Sequence, residues 1–66
     1  MPKIELETLL CFVAPHVNIE VIDCYTGEKL YSGAPYVTAV GEELGRRAIW
    51  NITLSDKSNT LVIELN

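Results

Sequence analysis

Residues 17–33 read VNIEVIDCYTGEKLYSG, and this stretch indicates a β-hairpin. Its first half alternates β-branched and polar side chains, as a strand with one buried face does. The apolar members of that alternation are Val17, Ile19 and Val21. The letters YTGE supply a turn in which Gly27 suits a positive-φ position. The return strand, residues 29–32, is followed by Gly33, so the stretch predicts two short strands that fold back on each other.

The C-terminal third predicts a second hairpin. Residues 48–54 (AIWNITL) and 60–66 (TLVIELN) have a strand period, and the polar cluster SDKSN at 55–59 is typical of a turn. Strict alternation divides the first of these strands into two faces: Ile49, Asn51 and Thr53 on one side, and Trp50, Ile52 and Leu54 on the other. We expect Trp50 to anchor the core, with exposure at a partner surface as the alternative.

Two helices are predicted outside the hairpins. Residues 3–13 (KIELETLLCFV) place leucines and a valine at helical offsets, although Ile4 and Leu6 also alternate with acids as a strand would. Residues 40–47 (VGEELGRR) are typical of one or two helical turns, with acids first and arginines last. Residues 34–39 are predicted to be a connector without regular structure.

The element order is therefore α-β-β-α-β-β. This order predicts a small α+β fold in a single domain, residues 1–66. We expect two β-hairpins in one antiparallel sheet, with the N-terminal helix on one face and a short connecting helix between the hairpins. A sheet that curls toward a small barrel is the alternative.

Composition bounds the range of functions. The chain is 48% hydrophobic, which is typical of a globular protein, but 66 residues bury only a marginal core. Such chains often complete their core with a second copy, so we expect a protein partner or a homo-oligomer. The net charge of −4 is the wrong sign for binding nucleic-acid phosphates.

No pattern of catalytic or metal-binding residues is evident. Cys11, His16 and Cys24 lack the paired spacing that structural zinc sites use, and a chain this short has little room for a catalytic cleft. We therefore expect no enzymatic activity, no metal and no cofactor. The N-terminus lacks a signal-peptide core and no apolar run is long enough for a membrane span, so we expect a cytoplasmic protein with free thiols.

One pattern extends over most of the chain. It consists of I-x-V-x-D-x-x-T-G-E-x-L-Y-x-G at residues 19–33, E-E-L at 42–44, R-x-I at 47–49 and a closing L-V-I-E at 61–64. In this pattern the chain resembles small uncharacterised proteins encoded by phages and prophages of Gram-positive bacteria. Cys24 stands where such proteins more often have a polar residue. The resemblance implies an αββαββ fold and a mobile-element setting, and it implies no assigned activity.

Three hypotheses of function follow. The first is a small acidic protein–protein interaction module that modulates a host or phage protein, in a sharper form an inhibitor of a host defence nuclease by acidic mimicry. Its predicted partner-binding residues are Glu20, Asp23, Tyr25, Glu28, Glu42 and Glu43. The second is a binder of single-stranded nucleic acid, which needs Tyr31, Tyr36, Arg46 and Arg47 on one face. The third is a structural component that assembles as a homo-oligomer.

Overall fold

Four strands form one sheet, with three short helices beside it, in the computed structural model, which describes residues 3–56 and 59–66. In chain order the elements are α1 (Leu6–Leu10), β1 (Asn18–Asp23), β2 (Lys29–Gly33), α2 (Val37–Val40), α3 (Glu42–Gly45), β3 (Ile49–Leu54) and β4 (Thr60–Leu65). The predicted α+β class and both antiparallel hairpins, β1–β2 and β3–β4, are confirmed. Of the predicted turn at 55–59, Lys57 and Ser58 lie outside the described residues.

The sheet is mixed, so the prediction of a wholly antiparallel sheet is wrong. Its strand order is β2-β1-β4-β3, and the two central strands β1 and β4 run parallel. The alternative of a curled sheet is also wrong, because β2 and β3 lie at opposite edges and do not pair. The connection from β2 through α2 and α3 carries the chain across the sheet to its far edge. The second hairpin therefore returns with β4 against β1.

The core lies between the helices and one face of the sheet, which we call the inner face. Ile19 and Val21 from β1 and Ile63 and Leu65 from β4 are fully buried there, as the strand periodicity predicts. Leu6, Leu10 and Val40 close this layer from the helix side. The opposite, outer face carries mainly polar residues, among them Glu20, Lys29 and Asn51.

Helix α1 is shorter than the predicted span of residues 3–13. The chain before it is extended: the Ile49 N–H donates to the Ile4 carbonyl at 2.8 Å, and the Leu6 N–H donates to the Arg47 carbonyl at 3.0 Å. The strand-like alternation at the N-terminus thus prevails as far as Glu5, which forms an isolated bridge to Ala48. Tertiary pairing with the start of β3 overrides the helical period here.

The connection between the hairpins is more regular than predicted. Residues 37–40 form α2, where we predicted an irregular connector, and the predicted helix at 40–47 is limited to α3. Gly41 separates the two helices with φ of 94°, a conformation that residues with a Cβ rarely adopt. This break lets both short helices face the core, α2 through Val40 and α3 through Leu44.

Strand β3 departs most from the sequence prediction. The register with β4 shifts between Ile49 and Asn51, which leaves Trp50 in a bulge. The extra residue puts Ile49, Ile52 and Leu54 on the inner face, opposite Leu65, Ile63 and Leu61, while Asn51 and Thr53 face outward. The predicted division into two faces is therefore confirmed for residues 51–54 and wrong for Ile49, which lies on the same face as Ile52 and Leu54. Trp50 is 67% exposed, so its prediction as a core anchor is also wrong.

Candidate interaction surface

The acidic residues predicted to bind a partner are already engaged within the chain, or lie apart from one another. The Glu20 carboxylate accepts from the Lys29 ammonium at 3.1 Å on the outer face, and its side chain is only 14% exposed. Glu42 pairs with Arg46 one helical turn away. Helix α3, which carries Glu42 and Glu43, packs beside α1 on the inner side of the sheet. These carboxylates therefore lie on opposite faces of the molecule and do not form one acidic surface.

Asp23 has a structural role at the end of β1. Its Oδ1 accepts hydrogen bonds from the Tyr25 N–H at 2.8 Å and the Thr26 N–H at 3.2 Å, which shapes the turn of the first hairpin. Its Oδ2 accepts from the Arg47 guanidinium at 3.3 Å. These contacts hold the pKa of the Asp23 carboxyl below its ordinary value, and the Tyr25 backbone hydrogen bond is the largest cause.

The same contacts tie the C-terminus to this turn. The Arg47 guanidinium also donates to the Asn66 carbonyl at 3.2 Å, and the Tyr25 hydroxyl donates to the Asn66 side chain. Tyr25 is exposed on its other sides, and so is Glu28. Of the six predicted residues, Asp23, Tyr25 and Glu28 lie together at this end of the sheet, and the polar groups of Asp23 and Tyr25 are used to hold the fold.

Three of the four residues of the nucleic-acid hypothesis are also engaged in the fold. The Tyr31 hydroxyl donates to the Ala34 carbonyl at 2.6 Å, and the ring packs against the core cluster. Tyr36 is exposed where α2 begins. Arg46 and Arg47 each pair with a carboxylate, so their charge is partly neutralised.

Cys11, Cys24 and His16 do not come together in a reactive cluster. Cys11 is exposed and donates weakly to the Glu7 carbonyl, while Cys24 is half-buried and unbridged. Within residues 3–56 and 59–66, no three His, Cys, Asp or Glu side chains are placed to hold a metal ion.

A different surface stands out, along β3 on the inner face of the sheet. It consists of large apolar side chains, three of which are mostly exposed: Trp50 at 67%, Phe12 at 83% and Leu54 at 84%. We call it the β3 surface, formed by Ile4, Leu9, Phe12, Trp50, Ile52 and Leu54. A groove of about 520 Å³ between the end of α1 and the end of β3 is lined by Leu9, Phe12 and Leu54. A second depression, which Leu9 also lines, continues past Ile52 and Trp50 to Ile4.

The surface is open because α1 is too short to cover the whole sheet. Five helical residues rise only about 7.5 Å along the helix axis. Leu6 and Leu10 of this helix are buried against the central strands, and only the half-buried Leu9 reaches toward β3. The inner side of β3 beyond Ile49 therefore has no helix above it among the described residues.

The backbone of β3 is open as well. The Ser55 N–H donates to the Thr60 carbonyl at 3.1 Å, across from the last residue of β3. Along an antiparallel strand, the backbone groups of successive residues point alternately toward the neighbouring strand and away from it. Thr53 and Asn51 therefore also direct their N–H and C=O groups toward β4, and Ile52 and Leu54 direct theirs to the far side. In the described parts of the chain, that far side is paired only at residues 47–49, by the segment around Ile4.

The β3 surface could not be predicted from the sequence alone, for a definable reason. Residues 48–55 contain no charged side chain and three large apolar residues at alternate positions, a pattern shared by buried strands and by unprotected edge strands. The missing information was the position of the strand within the sheet.

The similarity comparisons add no family or relative. No protein-family model matches the chain, and no match is found among curated proteins or solved structures. None of the helices described has the length and hydrophobicity that a membrane span requires.

Proposed function

We propose that this protein is a small protein–protein interaction module that binds its partner through the β3 surface. The observation that supports this most directly is that a single strand carries both exposed apolar side chains and backbone groups that no described residue pairs. Monomeric proteins normally protect an edge strand with charges, prolines or a covering element. Here Ile52 and Leu54 offer both main-chain hydrogen bonds and apolar contacts to an incoming chain.

The opposite edge of the sheet makes a useful contrast. Strand β2 carries Lys29, which pairs with Glu20, and it ends at Gly33 close to the buried Pro35. A lysine on an edge strand and a nearby proline both discourage pairing with another chain. The β2 edge is thus protected against pairing with another chain and the β3 edge is not, which favours β3 as the binding edge.

The proposal moves the binding site away from the acidic residues. A mimic of nucleic acid needs carboxylates that are free to meet a basic site, whereas Glu20, Asp23 and Glu42 each pair with a cation of this chain. The resemblance to phage-encoded proteins agrees with a binding role in a bacterial host, and on this proposal the contact is apolar and made by a strand.

A photo-crosslinking experiment tests the proposal. The photoreactive amino acid p-benzoylphenylalanine replaces Trp50 in one protein and Thr38, an exposed residue of α2, in a control. Both proteins are irradiated in a lysate of Gram-positive bacteria. We expect discrete adducts from position 50 that disappear when the same protein also carries Leu54→Lys, and no such adducts from position 38. Equal adducts at both positions, or adducts unaffected by Leu54→Lys, would contradict the proposal.

A further inference from the structure

We infer that the partner bound by the β3 surface is a second copy of this chain, joined through antiparallel pairing of the two β3 strands. This inference rests on the proposed function and specifies it. Three properties of β3 support it: two copies of the strand can pair about a two-fold axis, the strand carries no charged side chain, and it exposes a large apolar area.

The hydrogen-bonding pattern selects one register. Ile52 and Leu54 are the residues whose N–H and C=O groups point away from β4. A two-fold axis at Thr53 places Ile52 of one copy opposite Leu54 of the other, and Leu54 opposite Ile52. Each of these two pairs can exchange two backbone hydrogen bonds, so all the outward groups of both residues are satisfied.

The side chains are compatible with the same register. Paired residues of an antiparallel sheet lie on one face, so Ile52 and Leu54 from the two copies meet on the inner face. On the outer face Thr53 meets its own symmetry mate, and Asn51 meets Ser55. No charged residue of either strand faces another, so the net charge of −4 per chain places no like charges in direct opposition there.

The paired window also avoids the described part of the segment that already lies on this edge, from residue 3 onward. Ile4 occupies the far side of β3 at Ile49, whereas residues 51–55 form the window. Pairing about Thr53 keeps both helix layers on the same side of a continuous eight-stranded sheet. The grooves beside Phe12 and Leu54 in the two copies then become neighbours across the axis.

The exposed area suits a small dimer. A standard interface takes roughly 800 Å² from each partner, and the chain has a total accessible surface of 4482 Å². The exposed apolar side chains of the β3 surface amount to on the order of 600 Å², given areas of ~150–250 Å² for large side chains. Main-chain pairing adds to this area, so the exposed surface is sufficient for a small dimer interface.

Site-specific disulfide formation tests the register. In a background with Cys11→Ser and Cys24→Ser, the variant Thr53→Cys places two thiols in a directly opposed, non-hydrogen-bonded pair, about 4.5 Å apart at Cα. Asn51→Cys is the matched control, since both residues are exposed on the outer face of β3. The two Asn51 positions are separated by four residues along the strands, about 13 Å, which is beyond disulfide reach.

We expect rapid formation of a covalent dimer for Thr53→Cys and none for Asn51→Cys. Sedimentation equilibrium of the unmodified chain should show a monomer–dimer equilibrium. Leu54→Lys should weaken dimerisation on the order of 100-fold, because a two-fold symmetric interface contains the substituted residue twice. Thr38→Lys, with the same charge change on α2, should leave it unaltered.

Two results would overturn the inference: a monomer at all concentrations, or equal disulfide formation at both positions. Circular dichroism of each variant establishes that it is folded, so loss of the dimer cannot be ascribed to unfolding. If the chain is monomeric but still gives Leu54-dependent adducts with other proteins, the proposed function stands and the inference of a second copy fails. If neither dimer nor adducts form, both fail.

Discussion

The comparison of Leu54→Ala with Leu65→Ala tests the architecture directly, because the two substitutions are chemically identical. Both leucines lie on the inner face of neighbouring strands, but Leu65 is fully buried and Leu54 is 84% exposed. Removing a buried leucine side chain typically costs about 2–5 kcal/mol in unfolding free energy, which includes the cavity left behind. We expect Leu65→Ala to fall in this range.

The magnitude for Leu54 follows from its exposure. Complete burial of a leucine side chain contributes ~1.5–3 kcal/mol, and Leu54 buries only about a sixth of its surface in the single chain. The expected loss is therefore about 0.3–0.5 kcal/mol, and the surrounding residues can close over so small a gap. The two variants should differ by at least roughly 1.5 kcal/mol.

Urea unfolding followed by far-ultraviolet circular dichroism measures both changes. The protein should be kept dilute, well below the dissociation constant of the inferred dimer, so that association does not add to the stability of the native state. A stability of ~3–10 kcal/mol is ordinary for a chain of this length, so the Leu65 variant should lose a large share of it and unfold at a clearly lower urea concentration. Equal losses for the two variants in dilute solution would refute the placement of Leu54 outside the core.

Three further predictions follow from single residues. Gly27 has φ of 75° with open space around it, so Gly27→Ala should destabilise the fold by ~1–2 kcal/mol through backbone strain alone, and Gly27→Asn should cost less in the same urea assay. The native pKa of Asp23 lies below the ordinary value of 3.8, so its carboxylate stabilises the fold above that pH and this contribution is lost as the pH falls through the native pKa. Asp23→Asn should therefore reduce the dependence of stability on pH in acid titrations followed by circular dichroism, and an unchanged dependence would argue against the hydrogen bonds that the Asp23 carboxylate accepts, first of all the one from the Tyr25 N–H. Trp50, the single tryptophan, should emit at long wavelength and be quenched by acrylamide in dilute solution, and its emission should shift to shorter wavelength as the dimer forms.

Much of the fold could be predicted from local patterns. The first hairpin follows from the alternation at Ile19 and Val21 and from Gly27, whose φ is positive as expected. The last strand follows in the same way, with Ile63 and Leu65 buried. These features depend on neighbouring residues in the chain, where side-chain period and turn chemistry act over short range.

The candidate site could not be predicted in the same way. Trp50 is part of an apolar alternation that is typical of a buried strand, and nothing in its neighbours shows that the register shifts there. A bulge reverses the faces of all residues that follow it, so one inserted residue moves Ile52 and Leu54 to the inner face. The acids at Glu20 and Glu42 were predicted as contacts, yet their cationic partners lie within this chain.

The sequence by itself determines the two hairpins, the apolar faces of β1 and β4, and a charge that disfavours nucleic acid, because each depends on composition or short-range spacing. Only the tertiary structure decides that β1 and β4 are parallel neighbours and that β3 lies at an edge. That choice depends on how the connection between the hairpins crosses the sheet and on how far a five-residue helix can cover it. Long-range packing thus leaves Trp50, Ile52 and Leu54 exposed, and turns a strand with a core-like sequence into the candidate binding surface.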